Sequence, residues 1–102
     1  MSAFFLYDLI EVIDEAKMAE YREKVFANVE KFGGEYRVVG GQQLALEGDW
    51  TMSFPVVIEF ENKQAAMTWY ESSEYAPLKQ LRLEAARGNG VLLDGDVNTL
   101  AT

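Results

Sequence analysis

The chain has 102 residues, 49% of them hydrophobic and 13% aromatic, with 17 acidic against 9 basic side chains and a formal charge of −8. That is material for one domain with one modest core, and the acidic balance argues against nucleic acid or an anionic membrane as partner, since phosphate binding relies on Lys and Arg displacing counterions. Histidine and cysteine are both absent, which removes the Ser-His-Asp triad, imidazole zinc sites, His-ligated haem and thiolate chemistry, and leaves carboxylate, Tyr or Lys for proton transfer. A metal would need oxygen ligands alone, and there is no DxDxDG-type loop to supply them, so neither a metal nor a cofactor is expected. The N-terminal stretch lacks a basic leader region, and no segment approaches the roughly 18 apolar residues of a membrane span. A soluble cytoplasmic protein is the expectation.

Residues 3–12, AFFLYDLIEV, predict a strand that is apolar on both faces, with Phe4, Leu6, Ile10 and Val12 on one side and Phe5, Tyr7 and Leu9 on the other. Residues 14–34 switch to a helical period through Met18, Tyr21, Val25, Val29 and Phe32, with Asp14 as N-cap and Gly33 just past the end. Residues 35–50 read as a strand interrupted at Gly40-Gly41 and resumed through Leu44 and Leu46, with EGDW beginning a hairpin connection. Residues 54–62, FPVVIEFEN, predict a third strand, with Pro55 tolerated only near its start. Asn62 can cap a helix through Ala65, Ala66, Trp69 and Tyr70, which breaks at Ser72-Ser73. Ser73 can cap a further helix through Leu78, Leu81, Arg82 and Ala85, closed by Gly88. Residues 90–96 predict a last strand, so that residues 1–96 form a single domain and 97–102 a C-terminal tail.

Strand, helix, strand, strand, helix pair, strand is the βαββαβ order of an α+β ferredoxin-like fold, in which two helices cover one face of a four-stranded antiparallel sheet. The first and third strands are apolar on both faces, yet nothing left in the chain can cover the second face. A second copy can, which predicts a homodimer through the open sheet face.

The strings GGEYRVVGG, LEGDW, VVIEF and AAMTWYESSEYAPLKQLRLEAA, in that order, closely resemble the domain of unknown function 1330 family, a branch of the dimeric α+β barrel superfamily. The resemblance runs from the first strand to Gly95 and is strongest between Gly33 and Arg82. It implies a ferredoxin-like fold and dimerisation, and no established activity. Two departures stand out: Phe54 where the family leads one to expect an Arg just before VVIEF, and Ser73 where WYxSPEY is usual. Haem-degrading relatives in the superfamily are disfavoured, because no His is present to ligate iron.

Candidate ligand-binding residues are Glu59, Trp69, Tyr70, Tyr75, Arg82 and Asn89. Glu59 stands in an otherwise apolar strand, where an inward carboxylate must find a partner or take up a proton. Facing the helices, it would form with Arg82 and the aromatics the wall of a small-ligand cleft; the plainer reading is a structural ion pair with Arg82, or a carboxylate at the solvent edge. Asp8 interrupts an apolar face of the first strand, and Asp8 and Glu59 are the candidate catalytic bases. The glycine pairs and Gly88-Asn89-Gly90 do not follow a phosphate-loop pattern and are read as turns and bulges. Three functions fit: a binder of a small, partly apolar molecule held between sheet and helices, a cofactor-independent isomerase or monooxygenase using a carboxylate base, and a structural or partner-binding module.

Overall fold

The computed structural model describes residues 1–95; the expected tail at 97–102 lies outside them. The element order is β1 (Ala3–Val12), α1 (Glu15–Lys31), β2 (Glu35–Val39), β3 (Pro55–Phe60), α2 (Lys63–Tyr70), α3 (Ala76–Ala85) and β4 (Ala86–Asp94). The four strands form one sheet in the order β2-β3-β1-β4, every pair antiparallel. This is the expected ferredoxin-like arrangement, with β1 and β3 in the centre.

Local chemistry accounts for the helix boundaries. The Asp14 side chain accepts from the Lys17 N–H at 3.1 Å, and Gly33 takes the left-handed conformation (φ 83°) just after the last turn of α1. Met18, Tyr21, Val25 and Val29 are the buried residues of that helix, spaced by three and four as the sequence predicts. Asn62 caps α2 through the Ala65 N–H. At α3 the cap falls elsewhere than Ser73: Tyr75 is the N-cap residue, Pro77 sits in the first turn, and Ser72 Oγ receives the Tyr75 N–H while donating to the Trp69 carbonyl. A serine at 73 is therefore compatible with the junction, because the neighbouring hydroxyl at 72 organises it.

Two strand boundaries depart from the sequence reading. Strand β2 ends at Val39, and residues 40–54 form a loop in which Leu44, Leu46 and Trp50 are largely exposed. The loop is closed on itself by Gln43, whose side chain exchanges two hydrogen bonds with the Met52 backbone. Strand β4 starts at Ala86 directly after α3, four residues earlier than expected, because its glycines serve close approach rather than a turn. A Cβ at Gly88 would collide with the Asp8 carbonyl and the Tyr7 hydroxyl, and one at Gly90 would press on the Phe5 ring at 3.1 Å.

Two register shifts decide which side chains meet. Between Leu9 and Glu11 the β1–β4 pairing shifts, so Leu9 and Val12 both pack toward the helices, and Val12 parts from Phe4, Leu6 and Ile10. A second shift between Tyr36 and Val38 in β2 likewise brings Tyr36 and Val39 to the helix side. The sheet then has a covered face bearing Phe5, Tyr7, Val56, Ile58 and Phe60, and an open face bearing Phe4, Leu6, Val57, Val91 and Leu93. Trp69, Tyr75, Phe60 and Val29 are the largest fully buried side chains, all on the covered side.

Candidate functional site

Between the covered face and α1 lies a cavity of about 340 Å³, within the size range of small-molecule sites. Its floor is Phe5, Tyr7 and Leu9 of β1 with Val56 and Ile58 of β3. Helix α1 supplies the roof through Met18, Tyr21 and Val25. The mouth is framed by Phe26, Val39 and Phe54, each 41–50% exposed, and by Arg22. Phe26 and Tyr36 pack ring to ring at 4.5 Å across it, and the Phe54 ring lies over the Gly40 backbone, where a Cβ would come within 2.6 Å of it. The position at which the family resemblance leads one to expect an arginine thus presents an apolar rim.

Arg82 stands at the inner end of this cavity. It lies on the buried side of α3 with Leu78 and Ala85, at positions i, i+4 and i+7, and is 6% exposed. Its guanidinium sits 4.5 Å above the Tyr7 ring, and its Nε donates to Tyr75 Oη at 3.4 Å. Tyr75 Oη is also 2.9 Å from Tyr21 Oη, which ties α1 to the start of α3. None of the ion pairs among the described residues involves Arg82. Burial opposes its charge, while the oxygens of Tyr75, Tyr21 and Tyr7 support it, with a net shift upward. Burial also pushes the Tyr21 and Tyr36 phenols up, reinforced by Tyr75, so both are neutral hydrogen-bonding groups at physiological pH.

The sequence-predicted residues divide among four places. Arg82 and Tyr75 meet, as described. Trp69 is fully buried against Phe60 and Tyr75, with its Nε1 donating to Asn28 of α1 at 2.9 Å, and serves the core. Tyr70 lines a separate, smaller cleft of about 180 Å³ between α2 and β4, with Lys79 Nζ 4.3 Å above its ring. Glu59, Asp8 and Asn89 are on the open face, across the sheet from Arg82.

The reason is strand parity. Glu59 lies between Ile58 and Phe60, both buried on the covered side, so it points the other way. There it accepts from Ser2 Oγ at 2.6 Å and from Arg37 Nε at 2.9 Å, bonds that hold its carboxyl below the ordinary carboxylate value. The expected Glu59–Arg82 wall is therefore not formed. Asp8 Oδ1 accepts the N–H groups of Ser53 and Phe54, each at 2.9 Å, and so fixes the end of the 40–54 loop; Asn89 is its cross-strand neighbour. Neither candidate base lines the cavity. Among the described residues, no three acidic side chains converge on a point where a metal could sit.

What the sequence reading missed is the tyrosine set around Arg82. Tyr21 was legible as a helix core residue and Tyr7 as a partner of Phe5 and Leu9, but their meeting depends on the α1–α3 contact. Tyr36 reaches the cavity only through the shift in β2.

The match to known proteins is nearly full-length. The model of a domain of unknown function (DUF1330) covers residues 2–96. The chain belongs to the DUF1330 family. Among solved structures, the chain is similar to RPA0582, a protein of unknown function from Rhodopseudomonas palustris, at 17% identity and TM-score 0.67, covering 90% of this chain and 80% of that one. It is also similar to SnoaB, a cofactor-independent oxygenase from Streptomyces nogalater (11%, TM-score 0.57, 90% and 89% covered). A third likeness is to an ethyl tert-butyl ether d family protein from Bacillus halodurans (9%, TM-score 0.58, 90% and 96% covered). At these identities the shared property is the fold, and this DUF1330 chain has the α+β ferredoxin-like fold with a four-stranded antiparallel sheet. The curated proteins contain no significant match. Among the described residues no helix is long and apolar enough to cross a membrane.

Proposed function

We propose that this DUF1330 protein is a homodimer that binds a small, partly apolar molecule in the cavity between its sheet and α1. The observation that carries the reading is the cavity itself: about 340 Å³, walled by aromatic and branched side chains, with Arg82 and tyrosine hydroxyls at its inner end. An apolar pocket with a few convergent polar groups is the usual design of a small-molecule site. Of the predicted ligand residues, Arg82 touches the molecule and Tyr75 positions Arg82. Trp69 supports both from the core, and Tyr70 flanks the second cleft.

Dimerisation through the open face is supported by what that face carries. Phe4, Leu6, Val57, Val91 and Leu93 form an apolar surface across three adjacent strands, and no element of the described residues covers it. Arg37 and Glu59, paired with each other, stand beside it.

The enzymatic alternative, a cofactor-independent isomerase or monooxygenase, draws support from the fold shared with SnoaB and from a guanidinium placed to stabilise an enolate. It lacks a carboxylate base in the cavity lining, since Asp8 and Glu59 lie elsewhere, and burial raises the Tyr21 and Tyr36 phenols away from the ionised form a base would need. A binder needs none, and that favours the first reading.

Native mass spectrometry of protein purified without unfolding tests both parts. The expected result is twice the chain mass, with a small molecule retained or readily taken up. A monomer at micromolar concentration overturns the dimer. A ligand that exchanges hydrogen for deuterium in heavy water only when the protein is present overturns the binder in favour of the enzyme.

A further inference from the structure

Resting on the reading of the cavity as a ligand site, we infer that its ligand is an apolar carboxylate, held with the carboxylate against Arg82 and the hydrocarbon body between α1 and the sheet. Four observations carry this. The chain has 17 acidic and 9 basic side chains, yet no acidic residue lines the cavity, whereas two arginines do. The two differ: Arg22 is at the mouth, half exposed and paired with Glu15 at 3.4 Å, whereas Arg82 is 6% exposed and enters no ion pair among the described residues.

A buried guanidinium without a counter-charge is costly, and phenol oxygens compensate it only in part. Its donors are also not used up. Nε is committed to Tyr75 and the Tyr7 oxygen also supports the guanidinium, and since no fully buried side-chain nitrogen among the described residues lacks a partner, any N–H group of Arg82 without one is accessible. Arg82 lines the cavity, so its remaining N–H groups are available on that side. A planar guanidinium offering parallel N–H bonds matches a carboxylate, one charge against one charge. A phosphate dianion would leave charge and acceptors unmet in a lining otherwise built of hydrocarbon and phenol.

Size sets the body. At about 30 Å³ for each water-sized group, the cavity takes on the order of ten to twelve such groups, the scale of a bicyclic aromatic acid. The Phe5 ring in the floor and Val25 in the roof offer flat and branched apolar surfaces to it.

Isothermal titration calorimetry with 2-naphthoate, the isosteric neutral 2-naphthamide and 2-naphthyl phosphate tests the assignment. The expected result is naphthoate binding at least about tenfold more tightly than either of the others, a preference of about 1.4 kcal/mol. Arg22→Met should keep that preference, its charge being already answered by Glu15. Arg82→Met should abolish it, so that naphthoate and naphthamide bind alike. Equal binding of acid and amide to the unaltered protein overturns the carboxylate assignment and leaves the binder reading standing. Tighter binding of the naphthyl phosphate likewise overturns it, in favour of a phosphate ester. Binding of none of the three removes the binder reading as well. Should Arg82→Met fail to fold, the Arg22→Met result decides alone: a preference lost there overturns the role given to Arg82.

Discussion

The two faces of the sheet are built from the same kinds of apolar residue and differ in how their charges are answered. On both, aromatic and branched side chains alternate along β1 and β3. The covered face adds Arg82, which has no acidic partner among the described residues, at the end of a cavity, whereas on the open face Glu59 pairs with Arg37, Arg87 pairs with Glu11, and Asp8 accepts two backbone N–H groups. Paired surface charges contribute little individually and define an edge. An unpaired buried charge is an unsatisfied demand. If the cavity is the ligand site proposed above, it is marked by the charge that lacks an acidic partner among the described residues, more than by how many aromatics cluster.

Substitutions can break this contrast or sharpen it. Ile58→Asp puts a carboxylate at a position 3% exposed on the covered face, and should abolish folding, a loss above about 4 kcal/mol, visible as collapse of near-ultraviolet circular dichroism. Leu6→Asp places the same group on the open face. It should leave the monomer folded while weakening self-association roughly a hundredfold, about 3 kcal/mol, as read by sedimentation velocity. If Leu6→Asp stays dimeric, the open face is not the interface. Gly88→Ala forces a methyl group onto Tyr7 and the Asp8 backbone, and denaturant melts should show a loss of about 1–3 kcal/mol. Tyr75→Phe removes the hydroxyl shared by Tyr21 and Arg82. A loss of about 1–2 kcal/mol by chemical denaturation is expected, together with weaker naphthoate binding if Tyr75 positions the guanidinium.

The smallest effect concerns pH. Glu59 is held below its ordinary value by Ser2 and Arg37, so its contribution is present above about pH 4.5 and is lost as pH falls through the depressed folded value. Glu59→Gln should therefore lower the melting temperature slightly at neutral pH and make no difference in strong acid. A Glu59→Gln protein that gains stability at neutral pH would contradict the assigned pairing.

The fold was legible because periodicity and caps agree: Asp14, Asn62 and Gly33 mark helix ends, and the stripe from Met18 to Val29 is buried as spaced. The site was legible only in part. Arg82 and Tyr75 lie seven residues apart across one helix start, close enough for the sequence to suggest their meeting. Glu59 misled because a single parity choice decides a strand residue's face, and its flanks, Ile58 and Phe60, are the buried ones. Val12 and Tyr36 were misplaced or missed because a one-residue register shift reverses parity without any mark in the local sequence. The 40–54 loop misled for another reason. Its leucines alternate as a strand's would, but Leu44 and Leu46 face solvent and no neighbouring strand pairs with them among the described residues.

In the proposed function, the covered face receives a ligand while the open face receives a second copy. Amide chemical-shift mapping of the nitrogen-15-labelled dimer titrated with 2-naphthoate tests it most directly. Shifts are expected to concentrate at Tyr21, Val25, Tyr36 and Arg82, with Leu6, Val57 and Val91 unmoved. Shifts confined to Leu6, Val57 and Val91 would contradict it, and would place the ligand where the partner is proposed to sit.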